Sequence, residues 1–111
     1  MSIRDLVRDM QRDIRDTDLE PARARELLAK LTACIGNCNP EIREADMDYH
    51  RVLLQCLDSE AKANRAKIRS QVTPEYARMR EARDTLTLVV ELVRSLKVIL
   101  RGVEEEMRLS R

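Results

Sequence analysis

From position 79 onward the apolar residues fall at alternating intervals of three and four: Met79, Ala82, Leu86, Val89, Val93, Leu96, Leu100, Val103 and Met107, with Ser110 closing the series. That spacing holds one narrow stripe on a single side of a helix and defines a heptad seam. Thr73-Pro74-Glu75 marks the start, with a hydroxyl that accepts from an unpaired amide, a proline at the first helical position and an acid against the positive end of the helix dipole. The pattern therefore predicts one helix over 74–109, about 36 residues and roughly 54 Å at about 1.5 Å per residue. Between Leu86 and Leu100 the residues Leu88, Val90, Leu92, Val98 and Ile99 lie off the seam. A helix that apolar on several sides needs more than one neighbour to cover it.

Upstream, Ser2 can cap a first helix whose apolar positions are Ile3, Leu6, Val7, Met10 and Ile14. Thr17 and Glu20 have capping-box spacing, and Pro21 is tolerated only in the first turn of a second helix. Leu27, Leu28, Leu31 and Ile35 continue the pattern, and Gly36-Asn37 supplies residues that accept a left-handed helix end. The 2–35 segment reads as two short helices or as one kinked helix. Asn39-Pro40 then restarts the chain with a cap and a proline. A further helix, with Ile42, Ala45, Tyr49, Val52, Cys56, Ser59, Ala63, Ala66 and Ser70 on its seam, is expected to run to about Ser70.

Only Gln71 and Val72 separate Ser70 from the Thr73 cap, so the 40–110 stretch is expected to form a long antiparallel helical hairpin with its tip at 71–73. In that register residue i faces roughly residue 144 − i, which sets 52–57 opposite 87–92. Both stretches carry apolar residues off the seam. They predict a girdle in which Leu53, Leu54, Leu57, Leu88, Leu92 and Ile99 form an interface between copies, most simply in a two-fold dimer. The alternative is a monomeric four-helix bundle, with the N-terminal helices over the girdle.

Composition agrees with this all-α reading, a coiled-coil-like hairpin with one or two shorter N-terminal helices in a single-domain bundle. Two glycines, two tyrosines, no phenylalanine, no tryptophan and 37% charged residues leave little material for a sheet. Glu91, Arg94 and Lys97 interrupt the longest apolar run, so no membrane span is expected. The alternating acids and arginines of 1–18 do not read as a secretory signal, which places the chain in the cytoplasm.

The formal net charge is only +1, yet charge is unevenly distributed. In 61–80, Lys62, Arg65, Lys67, Arg69, Arg78 and Arg80 stand against Glu75, a net of +5; in 41–60 two bases stand against six acids, a net of −4. A basic hairpin tip is a candidate nucleic-acid surface, because clustered arginines and lysines release counterions from phosphates. The plain alternative is that these cations solvate the hairpin end, and Tyr76 is the only nearby aromatic for base stacking.

Three cysteines and the single histidine raise the question of zinc. His50 and Cys56 are six residues apart, about 600° of helical rotation, and so diverge by roughly 120°. Cys56 falls on the seam as a small apolar residue, and Cys34 and Cys38 straddle Gly36. No metal site and no cofactor are expected from this spacing. There is no glycine-rich phosphate loop, nucleophile elbow or metalloprotease helix, so the reading is of a non-enzymatic protein.

Glu60-Ala61-Lys62-Ala63-Asn64-Arg65-Ala66-Lys67, then Thr73-x-x-Tyr76-x-Arg78, then Arg94-Ser95-Leu96-Lys97 running to Arg108, resembles the small helical-hairpin accessory proteins of tailed bacteriophages and prophages. The resemblance covers about 45–111, and the N-terminal segment with its cysteine-flanked Gly36 departs from it. It implies a phage accessory protein that works by contact. Its target would be a host or phage protein that it binds or inhibits, or recombination machinery and DNA.

Overall fold

The computed structural model describes residues 2–16 and 20–110. Among them the fold is all-α, with four helices: α1 (Ile3–Asp16), α2 (Pro21–Ser59), α3 (Ala63–Ser70) and α4 (Pro74–Leu109). The Ser2 hydroxyl accepts from the Asp5 amide at 3.1 Å and donates to the Asp5 carboxylate at 2.8 Å, which fixes the start of α1. The N-terminal segment therefore holds two helices. Thr17, half of the expected capping box, lies outside the described residues.

α2 runs 39 residues straight through Gly36-Asn37 and Asn39-Pro40, where the sequence predicted an end and a restart. Neither glycine adopts a positive φ, so Gly36 is an ordinary helical residue and not a left-handed cap. Pro40 lacks an amide, and its ring crowds the carbonyl four residues earlier, that of Gly36, at a cost of about 3 kcal/mol. The offsetting contribution is visible in burial: Ala24, Leu27, Leu31, Cys34, Cys38, Ala45, Tyr49 and Cys56 are all buried, so the three-and-four seam crosses the proline without a break. Fully buried leucines such as Leu27 and Leu31 each contribute about 1.5–3 kcal/mol.

The helix expected to reach Ser70 instead stops at Ser59 and begins again at Ala63. Beyond Cys56 the seam is Ser59, Ala63, Ala66 and Ser70, too small to bury much apolar area. The Ser59 hydroxyl bonds the Cys56 carbonyl at 3.2 Å, a local bond that competes with helix continuation. Lys62 enters α3 in an extended conformation. The expected tip is present: the Thr73 hydroxyl donates to the Ser70 carbonyl at 2.6 Å and accepts from the Tyr76 amide at 3.3 Å as α4 begins.

The chain divides into two compact units, Met1–Asn37 with Thr85–Arg111, and Cys38–Asp84. In the first, Val7 and Met10 of α1, Leu27 and Leu31 of α2, and Val89, Leu92, Val93, Leu96 and Leu100 of α4 are buried. Arg4 bonds Thr85 at 3.3 Å, Arg23 pairs with Asp13 at 2.7 Å, and Arg25 reaches Glu104 at 3.8 Å, so that each helix is tied to the other two. In the second unit Ala45, Tyr49 and Met79 form a core against which Leu53, Tyr76 and Ala82 pack.

Pairing in the second unit corrects the expected register. Asp48 meets Arg78 and Asp46 meets Arg83, positions whose numbers add to 126 and 129 in place of 144. Residues 60–73 are taken up by the break, by α3 and by the turn, so they do not lengthen the paired arms. The 52–57 and 87–92 stretches belong to different units. Leu92 is buried in its own unit, Leu88 and Leu53 are half-buried, and only Leu54, Leu57 and Ile99 of the six remain exposed.

Candidate interaction surfaces

The tip of the second unit is positioned by a short polar chain. Ser70 is fully buried and its hydroxyl donates to the Lys67 carbonyl at 2.7 Å; the Tyr49 hydroxyl, 3.0 Å away, therefore donates to the Ser70 oxygen. Tyr49 in turn lies against Tyr76, ring centres 5.3 Å apart and tilted. With Ala66 and Ser70 turned inward, α3 presents Arg65, Lys67, Ile68 and Arg69 outward.

The six basic residues singled out from sequence separate into two kinds. Arg78 is held by Asp48 at 2.7 Å and Glu44 at 3.4 Å, and Arg69 by Glu60 at 3.2 Å and the Ser59 hydroxyl at 3.4 Å. Lys62, Arg65, Lys67 and Arg80 are exposed and make no ion pair among the described residues. The midsection acids Glu44, Asp46, Asp48 and Glu60 are thus already engaged within the unit, and the Asp46 hydrogen bond raises the Arg83 guanidinium above its ordinary range.

Sequence reasoning did not single out the apolar residues between these cations. Ile68 is 65% exposed and Val72 81%. The available signal was that Ile68 sits off the seam and Val72 inside a turn, where neither can reach a core.

The first unit carries two further surfaces. Between α1 and α2 lies an open groove of about 400 Å³ with Leu6, Met10, Leu27 and Cys34 along its floor. Its mouth is crossed by the Asp13–Arg23 pair, and Lys30 and Arg23 both grip Glu26 at 3.1 Å. Hydrogen bonds from Lys30 and then Arg23 hold the Glu26 carboxyl below the usual carboxylate range, while Asp13 and then Glu26 raise Arg23. Near the end of α4, Val103, Glu106, Met107 and Ser110 line a shallower recess of about 360 Å³.

The zinc candidates do not converge. Cys34, Cys38 and Cys56 are buried and in no disulfide, His50 is exposed, and no group of three or more His, Cys, Asp or Glu among the described residues has metal-holding geometry. No helix among those residues is long and apolar enough to cross a membrane.

The elements and surfaces together define an all-α helical-hairpin protein. Comparison with known proteins finds no matching family, no similar curated protein and no similar solved structure.

Proposed function

We propose that this chain works by contact and not by catalysis, as a helical binding module that self-associates and docks on another protein. The observation supporting this is the α3 tip, where Ile68 and Val72 stand in solvent among Lys62, Arg65 and Lys67 while neighbouring arginines are already paired. Large apolar side chains among free cations suit a protein surface better than a phosphate backbone, which offers nothing for them to bury against. In the phage or prophage setting implied by the hairpin resemblance, the bound protein is a host or phage factor in the cytoplasm.

A second reading, nucleic-acid binding, is favoured by the four cations without ion pairs. Tyr76 offers it little, because that ring is half-buried against Tyr49. The deciding experiment measures solution mass against concentration for wild type and for Ile68→Glu with Val72→Glu. A mass above 12.9 kDa that falls in the variant at unchanged helicity supports the binding module. A wild type that stays monomeric and shifts labelled DNA at low salt, losing the shift when Lys62, Arg65, Lys67 and Arg80 become glutamine, refutes it for the nucleic-acid reading; four phosphate contacts give a salt slope of about −3.6.

A further inference from the structure

Two surfaces of this chain are built as opposites. On α3, Ile68 is flanked by two free cations: at about 100° per residue, Arg65 lies roughly 60° to one side of it and Lys67 roughly 100° to the other. Val72 follows four residues on, in the turn. On the last turns of α4 the same plan recurs with the sign reversed. Met107 is 59% exposed and stacks one turn beyond half-buried Val103, and the two line the shallow recess with Glu106. Glu104 and Glu106 lie roughly 60° and 100° to either side of Met107 by the same count.

The acidic end has charge to offer. Residues 102–110 hold three acids against one base, a net of −2. Glu105 is engaged by Arg108 and Glu104 by Arg25 at 3.8 Å, while Glu106 has no ion pair among the described residues and is the uncommitted acid of this end. Of the six midsection acids, Glu44, Asp46, Asp48 and Glu60 are each held by an arginine of their own unit, which leaves Glu41 and Asp58, whereas Glu106 lines the recess with Val103 and Met107.

The heptad seam supplies an independent reason for a second helix at this place. It is buried at Val93, Leu96 and Leu100, half-buried at Val103 and open at Met107, so the pattern continues past the point where the chain's own helices cover it.

We propose that these surfaces bind each other between copies. Ile68 and Val72 of one chain cover Val103 and Met107 of a second, with Arg65 and Lys67 set against Glu104 and Glu106. This rests on the α3 tip being the binding surface and names its partner as the α4 end of another copy. The two patches differ, so the contact is head-to-tail: each pair of chains keeps one free patch of each kind, and association proceeds to a ring or a chain instead of stopping at a two-fold dimer. The patches are small, which places the contact among weak, transient interfaces.

Two charge-reversed proteins test this, Arg65→Glu with Lys67→Glu, and Glu104→Lys with Glu106→Lys. All four positions are exposed, and circular dichroism checks that helicity is retained. Light scattering from roughly 10 µM to 1 mM, at about 0.05 M and about 0.5 M salt, reads the mass. Wild type is expected to gain mass with concentration at low salt and to fall toward 12.9 kDa at high salt. Each variant alone is expected to stay monomeric, because its two patches then carry like charge. An equimolar mixture is expected to regain association, because the acidic α3 of one matches the basic α4 end of the other. Monomeric wild type, variants that associate like wild type, or a mixture that stays monomeric each overturns the proposal. Association that is lost in Ile68→Glu with Val72→Glu but survives both reversals leaves the binding module standing and removes only this partner.

Discussion

The attachment of α3 can be tested at one hydroxyl. Because the Ser70 hydroxyl already donates to the Lys67 carbonyl, the Tyr49 hydroxyl is the donor in their 3.0 Å bond. Tyr49→Phe removes that donor, keeps the ring against Tyr76, and leaves Ser70 lacking only one accepted bond. Its expected cost is about 1 kcal/mol, the usual net worth of an internal hydrogen bond, or about 4 °C in Tm for a domain this size. Ser70→Ala is expected to cost more, about 1–3 kcal/mol, because it strands the Tyr49 donor in a buried site. The double variant is expected to cost little more than the costlier single change, giving a coupling of about 0.5–1.5 kcal/mol by urea denaturation followed in the far ultraviolet. Strictly additive effects would refute the reasoning, since they would mean that the two hydroxyls do not depend on each other and that α3 is held by packing alone.

Other consequences can be checked with the same assay. Leu96→Ala is expected to lose about 2–5 kcal/mol because Leu96 is fully buried, whereas Leu54→Ala stays within about 0.5 kcal/mol at its exposed site. Leu92→Glu is expected to lower helicity, since it places a charge at a buried position of the first unit. Gly36→Ala is expected to stabilise by about 0.5–1 kcal/mol, given helical backbone and open space where its Cβ would sit; Pro40→Ala adds up to about 3 kcal/mol by restoring an amide. Glu26 titrates lower in the folded chain than in the unfolded one, so its contribution is present above the unfolded value and is lost as pH falls through the folded one. Between about pH 7 and about pH 3 wild type is expected to lose slightly more Tm than Glu26→Gln, and an equal loss would show that this exposed triad adds nothing measurable.

The helices were written plainly into the sequence where apolar residues kept a strict interval. α4 begins at its proline and threonine as expected, and its seam is buried from Met79 to Leu100 apart from half-buried Ala82 and Leu86. The reading went astray where a local signal stood against a longer pattern. Gly36 and Pro40 are conventional helix breakers, and reading them as an end and a restart hid the place of Cys34 and Cys38 in a seam that joins Leu31 to Ala45. The opposite error occurred at Ser59, where the heptad interval persists but the side chains are too small to support the helix. A missed break then displaced the hairpin register of the second unit. The cation cluster was legible as composition, but which members were free was not, because Asp48 and Glu60 reach Arg78 and Arg69 only after the chain has turned.

The three thiols outside any disulfide give the molecule a clock for its own breathing. Cys34 lies in one unit and Cys38 and Cys56 in the other, all buried. A small alkylating reagent reaches Cys38 and Cys56 during moments of local opening, so their labelling rates report opening free energies, whereas Cys34 lines the open groove and reports entry there. Mass analysis of the labelled peptides separates Cys34 from Cys56, so the second unit's fluctuations can be timed at Cys56 without adding a probe. A ligand that settles into the groove above Cys34 would announce itself by slowing that one site.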